Sequence, residues 1–141
     1  MKSRRTPSKL ATYVVDTHAL LFYLADSPKL GKQVDAVLSS PDNSLILPAI
    51  ALAEALWITA TRELGVTPTE VLMAIDADPR FTIYDLTREV VQTAHGLEKV
   101  SEMHDRQIVA TTLLASSKTE KAVLLTRDAN IISSGEVSTL W

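Results

Sequence analysis

The sequence predicts a single α/β domain built on a parallel sheet, and three observations carry that prediction. First, its short apolar runs, Tyr13-Val14-Val15, Leu45-Ile46-Leu47, Phe81-Thr82-Ile83-Tyr84 and Ala122-Val123-Leu124-Leu125, lack the polar alternation of strands with one wet face. Second, helix-like stretches separate these runs. Right-handed crossovers through them return the chain in the same direction and cover both faces of the sheet. Third, at 141 residues and 46% hydrophobic side chains the chain can bury one sizeable core, with no Gly-, Pro- or Ser-rich stretch to divide it.

The first strand ends at Asp16, and Thr17 to Leu24 follows as a helix whose apolar positions are too dense for a solvent-facing strand. Pro28 and Gly31 punctuate a loop, Lys32 to Leu38 is a short helix, and Ser40-Pro41-Asp42-Asn43 is a turn. After the second strand, Pro48 opens a helix near its first turn; alanine-rich composition carries it to about Arg62, and Gly65 closes it. Thr67, Pro68 and Glu70 have the spacing of a capped helix start, with the acid three residues beyond the cap. Past the third strand come a helix from Thr87 to His95, ended by Gly96, and another from Asp105 to Ser116 that turns Ile108, Val109, Thr112 and Leu113 inward. The fourth strand, a short helix after Asp128 and an extended piece around Val137 to Trp141 complete the chain.

Composition excludes several function classes. There is no cysteine, hence no disulfide, zinc thiolate site or cysteine nucleophile. The apolar stretch from Leu45 to Ala60 is too short to span a bilayer and is interrupted by Pro48 and Glu54, so no membrane association is expected and the cytoplasm is the simplest location. Residues 1–11 read as a flexible basic tail ahead of a domain over 12–141, since they lack the apolar segment of a signal peptide. A net charge of −3 argues against a general nucleic-acid coat protein. It does not argue against a nuclease, because a site that holds divalent cations is itself acidic and the metals meet the phosphate.

Four acids sit where an apolar chain should avoid charge. Glu54 is the only charged residue between Leu45 and Ala60, and a carboxylate buried without a partner costs several kcal/mol or stays protonated. Asp16 and Asp128 follow the first and fourth strands, and Asp105 stands at a helix start. Sites in open parallel sheets form beyond the carboxyl ends of strands where the strand order reverses. If the first and fourth strands are neighbours there, all four carboxylates converge. Two carboxylates about 4 Å apart repel by roughly 4 kcal/mol at an effective dielectric near 20, so such a cluster needs cations, and oxygen-only ligands favour Mg²⁺ or Mn²⁺. Helix capping is the competing explanation for Asp16, Asp105 and Asp128; it does not serve Glu54, in the second turn of its helix. Asp85 also follows a strand but lies beside its own cap candidate, Thr87, on what should be a sheet edge. Thr126 could orient a carboxylate through its hydroxyl, with Thr17 in a similar supporting place. His18 and His104 have no second histidine at ligand spacing, and Trp57 and Phe22 read as core residues.

The stretches Asp16-Thr17-His18-Ala19-Leu20-Leu21, Glu54 in its apolar helix, His104-Asp105-Arg106-Gln107-Ile108-Val109-Ala110-Thr111 and Leu125-Thr126-Arg127-Asp128-Ala129-Asn130-Ile131 resemble, in order, the four motif regions of PIN domains. The similarity is strongest to the VapC-type toxins of toxin–antitoxin pairs, and it runs from about Tyr13 to the last residue. It implies a three-layer α/β/α fold with a five-stranded parallel sheet in the order 3-2-1-4-5. It also implies Mg²⁺- or Mn²⁺-dependent cleavage of RNA, a homodimer, and a small antitoxin partner that blocks the cleft. Asp16, Glu54 and Asp105 match the acids most often treated as metal ligands, Asp128 the more variable fourth, and Thr126 its accompanying hydroxyl. The basic tail is longer than is usual for compact toxins of this kind. Two other readings compete: the same scaffold binding RNA or a partner protein without cutting, and an aspartyl-phosphate enzyme. The latter is disfavoured because His18, not an aspartate, follows the strand-end acid, and no lysine follows the fourth strand at the expected place.

Overall fold

Strands β1 (Thr12–Val15), β2 (Ser44–Pro48), β3 (Phe81–Tyr84), β4 (Val123–Leu125) and β5 (Thr139–Leu140) form one sheet in the order β3-β2-β1-β4-β5. Every pairing is parallel. The structure is a computed structural model that describes residues 11–141. The basic tail expected over 1–11 lies outside the described residues except for Ala11, whose carbonyl accepts the Ser44 amide at 3.0 Å and so already borders the sheet.

Helices α1 (Thr17–Leu24), α2 (Lys32–Ser39), α3 (Ala49–Thr61), α4 (Pro68–Ala77), α5 (Arg88–His95), α6 (Met103–Ala115) and α7 (Ala129–Ser134) supply the crossovers and the outer layers. The central strands are buried as unalternating apolar runs require: Val14, Val15, Leu45, Leu47, Leu124 and Leu125 are closed to solvent. Burial of each such side chain contributes on the order of 1.5–3 kcal/mol. Leu20, Val71, Ile108 and Ile131 bring the helices onto this sheet.

Local signals account for most boundaries. Thr67 and Glu70 close a reciprocal capping box at the start of α4, Thr87 caps α5, and Gly135, at φ 67°, ends α7 in the left-handed conformation open to glycine. Four expectations are corrected. Helix α3 ends at Thr61 with Arg62 as its cap, and Gly65 lies beyond it in a turn at φ 80°. Helix α6 starts two residues before Asp105 because Glu102 caps it, and Leu113 on that helix is only partly buried. Trp57 is not core: it is 64% exposed. The buried seam of α3 consists of the small residues Ala51, Ala55 and Thr59; Ile50, Leu52, Leu56 and Ile58 flank it partly buried, and Trp57, on the opposite face, is left in solvent.

Candidate active site

The order of strands decides the location. β1 lies between β2 and β4, so successive connections leave it to opposite sides, and the chain opens a crevice beyond the carboxyl ends of β1 and β4. The Asp16 amide donates to the Leu125 carbonyl at 3.3 Å, which clamps the two strand ends together at its floor.

Asp16 is the most fully hydrogen-bonded acid of the crevice among the described residues. One carboxylate oxygen accepts the Thr17 amide at 2.7 Å and the other accepts the Thr126 hydroxyl at 2.6 Å. Thr126 in turn accepts the Asp128 amide at 3.1 Å, which fixes the turn leaving β4. Asp16 is 8% exposed. Desolvation by burial holds its carboxyl above the usual range, against the opposing pull of the Thr126 hydroxyl, the Thr17 amide and His18, and with a further upward push from Glu54.

Glu54 reaches the same place from α3. The Thr17 hydroxyl donates to it at 2.9 Å, so a single threonine ties the first motif to the second. Glu54 is half-buried rather than enclosed; an apolar sequence context identified its position without implying deep burial.

Asp105 separates the capping explanation from the site explanation. Glu102 accepts the amides of His104 and Asp105, both at 3.1 Å, and meets the His104 ring at 2.9 Å. Asp105 is therefore in the first turn of α6, with its carboxylate free of capping duty and facing the crevice. Its pKa is raised from 3.8 to about 7, first by desolvation and then by the charges of Asp128, Asp16, Glu102 and Glu54. Asp128 does cap: it accepts the Ile131 amide at 2.9 Å at the start of α7.

These groups line one cavity of about 280 Å³: Asp16, Thr17, Glu54, Asp105, Thr126 and Asp128, with His18, Ala19, Arg127 and Trp141 completing the wall. His104 and Asp85 are outside it. Arg127 and Trp141 carried no functional expectation. Arg127 sits inside a motif whose acid drew the attention, and Trp141 is far from every motif in sequence, so no local pattern announces it. An all-carboxylate donor set with one acid pushed to about 7 by burial and then by its acidic neighbours is suited in kind to a hard divalent cation. Among the described residues, no three acidic or histidine side chains surround one point as a ready-made cage, so the donors share a cavity without being closed around a fixed centre.

Residues 13–135 match the family profile described as the PIN domain. Solved structures sharing the fold include FitAB bound to an IR36 DNA fragment, at 19% identity and TM-score 0.67 over 91% of this chain and 93% of that one. VapBC2 from Rickettsia felis bound to a promoter DNA fragment is similar at 14% identity and TM-score 0.64 over 92% and 97%. DNA-bound VapBC from Salmonella typhimurium is similar at 12% identity and TM-score 0.62 over 94% and 98%. At these identities the likeness is one of fold. A comparison with curated protein sequences finds no match.

Proposed function

The chain belongs to the PIN domain family, whose members are generally nucleases, and on that footing we propose that it is a Mg²⁺- or Mn²⁺-dependent endoribonuclease, the toxin of a VapBC-type toxin–antitoxin pair acting in the cytoplasm. The observation that carries the reading is the convergence of Asp16, Glu54, Asp105 and Asp128 on one cavity at the point where strand order reverses. Capping accounts for parts of Asp16 and Asp128, but not for Glu54 or Asp105.

In this reading Asp16, Glu54 and Asp105 hold the metal and Asp128 completes or tunes the set. Divalent ions bound there supply the positive charge that favours attack of water on a phosphodiester and departure of the leaving oxygen. The protein's own part is positional. Thr126 and the Thr17 amide fix both oxygens of Asp16, the Thr17 hydroxyl orients Glu54, and the cap from Glu102 leaves the Asp105 carboxylate free. The repulsion that adds to burial in raising Asp105 is relieved when a cation enters, so the cavity favours cation binding.

A small antitoxin is the natural partner, because the FitAB and VapBC structures of the same fold are toxin–antitoxin assemblies. An apolar groove bordered by Ile50, Ala53, Trp57 and Ile58 adjoins Glu54, which suits both such a partner and a homodimer contact. Among the described residues no helix is long and apolar enough to cross a membrane.

RNA cleavage measured with Mg²⁺, with EDTA and with Asp16→Asn tests the enzyme reading; activity that survives both the chelator and the substitution would sink it. The absence of a ready-made cage among the described residues favours one alternative, a scaffold that binds RNA or a protein and cuts nothing. Calorimetric titration with Mn²⁺ separates the two, since only the enzyme reading requires metal affinity that Asp16→Asn abolishes.

A further inference from the structure

The acidic cavity contains one arginine, and that arginine is not paired with the acids. Arg127 lies between Thr126 and Asp128 and lines the cavity with them. Its guanidinium carbon instead sits 4.9 Å from the centroid of the Phe22 ring and 5.7 Å from that of Trp141. Among the described residues its N–H groups have no hydrogen bond or ion pair. A guanidinium beside several carboxylates ordinarily finds one and neutralises it. Here the two rings hold it: Phe22 and Trp141 meet edge to face, 6.3 Å apart and at 72°.

Trp141 is itself well anchored. Its carbonyl accepts the Gln33 amide at 3.2 Å, and the residue packs on Gly31 so closely that a Cβ there would come within 2.6 Å of it. The glycine thus admits the tryptophan, the tryptophan and Phe22 seat the arginine, and the arginine presents unused donors at the mouth of an acidic cavity. Contact with ring faces leaves its in-plane N–H groups available, and their fork matches two phosphate oxygens. An acidic cavity repels a nucleic-acid strand until cations enter, and a fixed positive group at its edge offsets that repulsion without occupying the metal ligands.

We propose that Arg127, seated on Phe22 and Trp141, is a substrate-positioning residue that binds a phosphate of the RNA strand next to the one held at the carboxylates. This rests on the ribonuclease reading and adds the group that places the strand.

The test uses the full chain with all four acids intact and Ca²⁺ in place of Mg²⁺, an oxygen-ligated cation that lets a fluorescein-labelled single-stranded RNA be bound at the carboxylates with little cutting, with anisotropy read across a salt series. Adding Arg127→Ala should weaken binding about tenfold, and the slope of log affinity against log salt should fall by about 0.7, the value for one lost phosphate contact on a single strand. Arg127→Lys should keep the slope and recover only part of the affinity; Phe22→Leu should keep the slope and weaken binding several-fold. A merely structural arginine would leave the slope untouched. Equal affinity and slope for Arg127→Ala would overturn the inference while leaving the ribonuclease reading standing. Failure of the chain without these substitutions either to bind or to cut RNA would overturn both.

Discussion

Replacing Asp105 with Asn removes one negative charge from a cavity lined by four carboxylates, and without metal it should make the protein more stable. In the folded chain the Asp105 carboxyl titrates at about 7 instead of 3.8, through desolvation and then the charges of Asp128, Asp16, Glu102 and Glu54. Its folded value lies above its unfolded one. Between about 4 and 7, therefore, the folded state holds more proton than the unfolded chain, and stability falls as pH rises through that window. A rise of about three units corresponds to a ceiling of ~4 kcal/mol at 1.36 kcal/mol per unit. Asp105 is only half-buried, so solvent screening reduces this to ~1–2 kcal/mol. With an unfolding entropy of about 2.1 cal/mol/K per residue, that is a Tm difference of about 3–7 °C. Calorimetric melts in EDTA from pH 5 to 8 should show the parent chain losing stability as pH rises and Asp105→Asn losing much less, so that the variant melts higher at pH 8. Mg²⁺ should narrow or reverse the gap, because a bound cation stabilises the parent through a ligand that the variant lacks. Parallel melting curves at every pH, or a variant less stable at pH 8 in EDTA, would refute the account of a charge-strained site.

Thr126→Val removes the hydroxyl that donates to Asp16 at 2.6 Å; since that bond lowers the Asp16 pKa, its loss should move the acid limb of the pH–rate profile to higher pH, with Thr126→Ser restoring it, and an unmoved limb would contradict the positioning role. Trp57→Ser alters a side chain that is 64% exposed, so denaturant melts should show a stability change within about 0.5 kcal/mol. The same substitution should weaken any antitoxin or self-association seated on the groove beside Glu54, read by sedimentation or pull-down with the cognate partner.

Element identity was legible because it is local. Apolar runs without alternation gave the parallel strands, buried at the centre of the sheet in β1, β2 and β4 but half-exposed in the edge strand β3, and the Thr67–Glu70 spacing gave the start of α4 in full. Failures occurred where neighbours compete. Glu102 displaced Asp105 from the start of α6, because a cap is chosen by which side chain reaches the free amides, not by proximity to the first apolar residue. Trp57 was read as core because α3 is apolar on every side. A helix apolar all round does not reveal which face is covered, and here the small-residue face was.

The sequence by itself determined the four acids, their attachment to strand ends and helix starts, and the α/β class, since all of these follow from periodicity and from the energetic cost of charge in apolar surroundings. Only the tertiary structure decided that Asp105 is free of capping, that Thr17 and Thr126 hold Glu54 and Asp16 across three elements, and that Arg127 rests on Phe22 and Trp141 rather than on an acid. These contacts join residues as much as 110 positions apart, the separation of Asp16 from Thr126. Side-chain pairing at such separations is set by strand order and packing geometry, and no window of local sequence contains it.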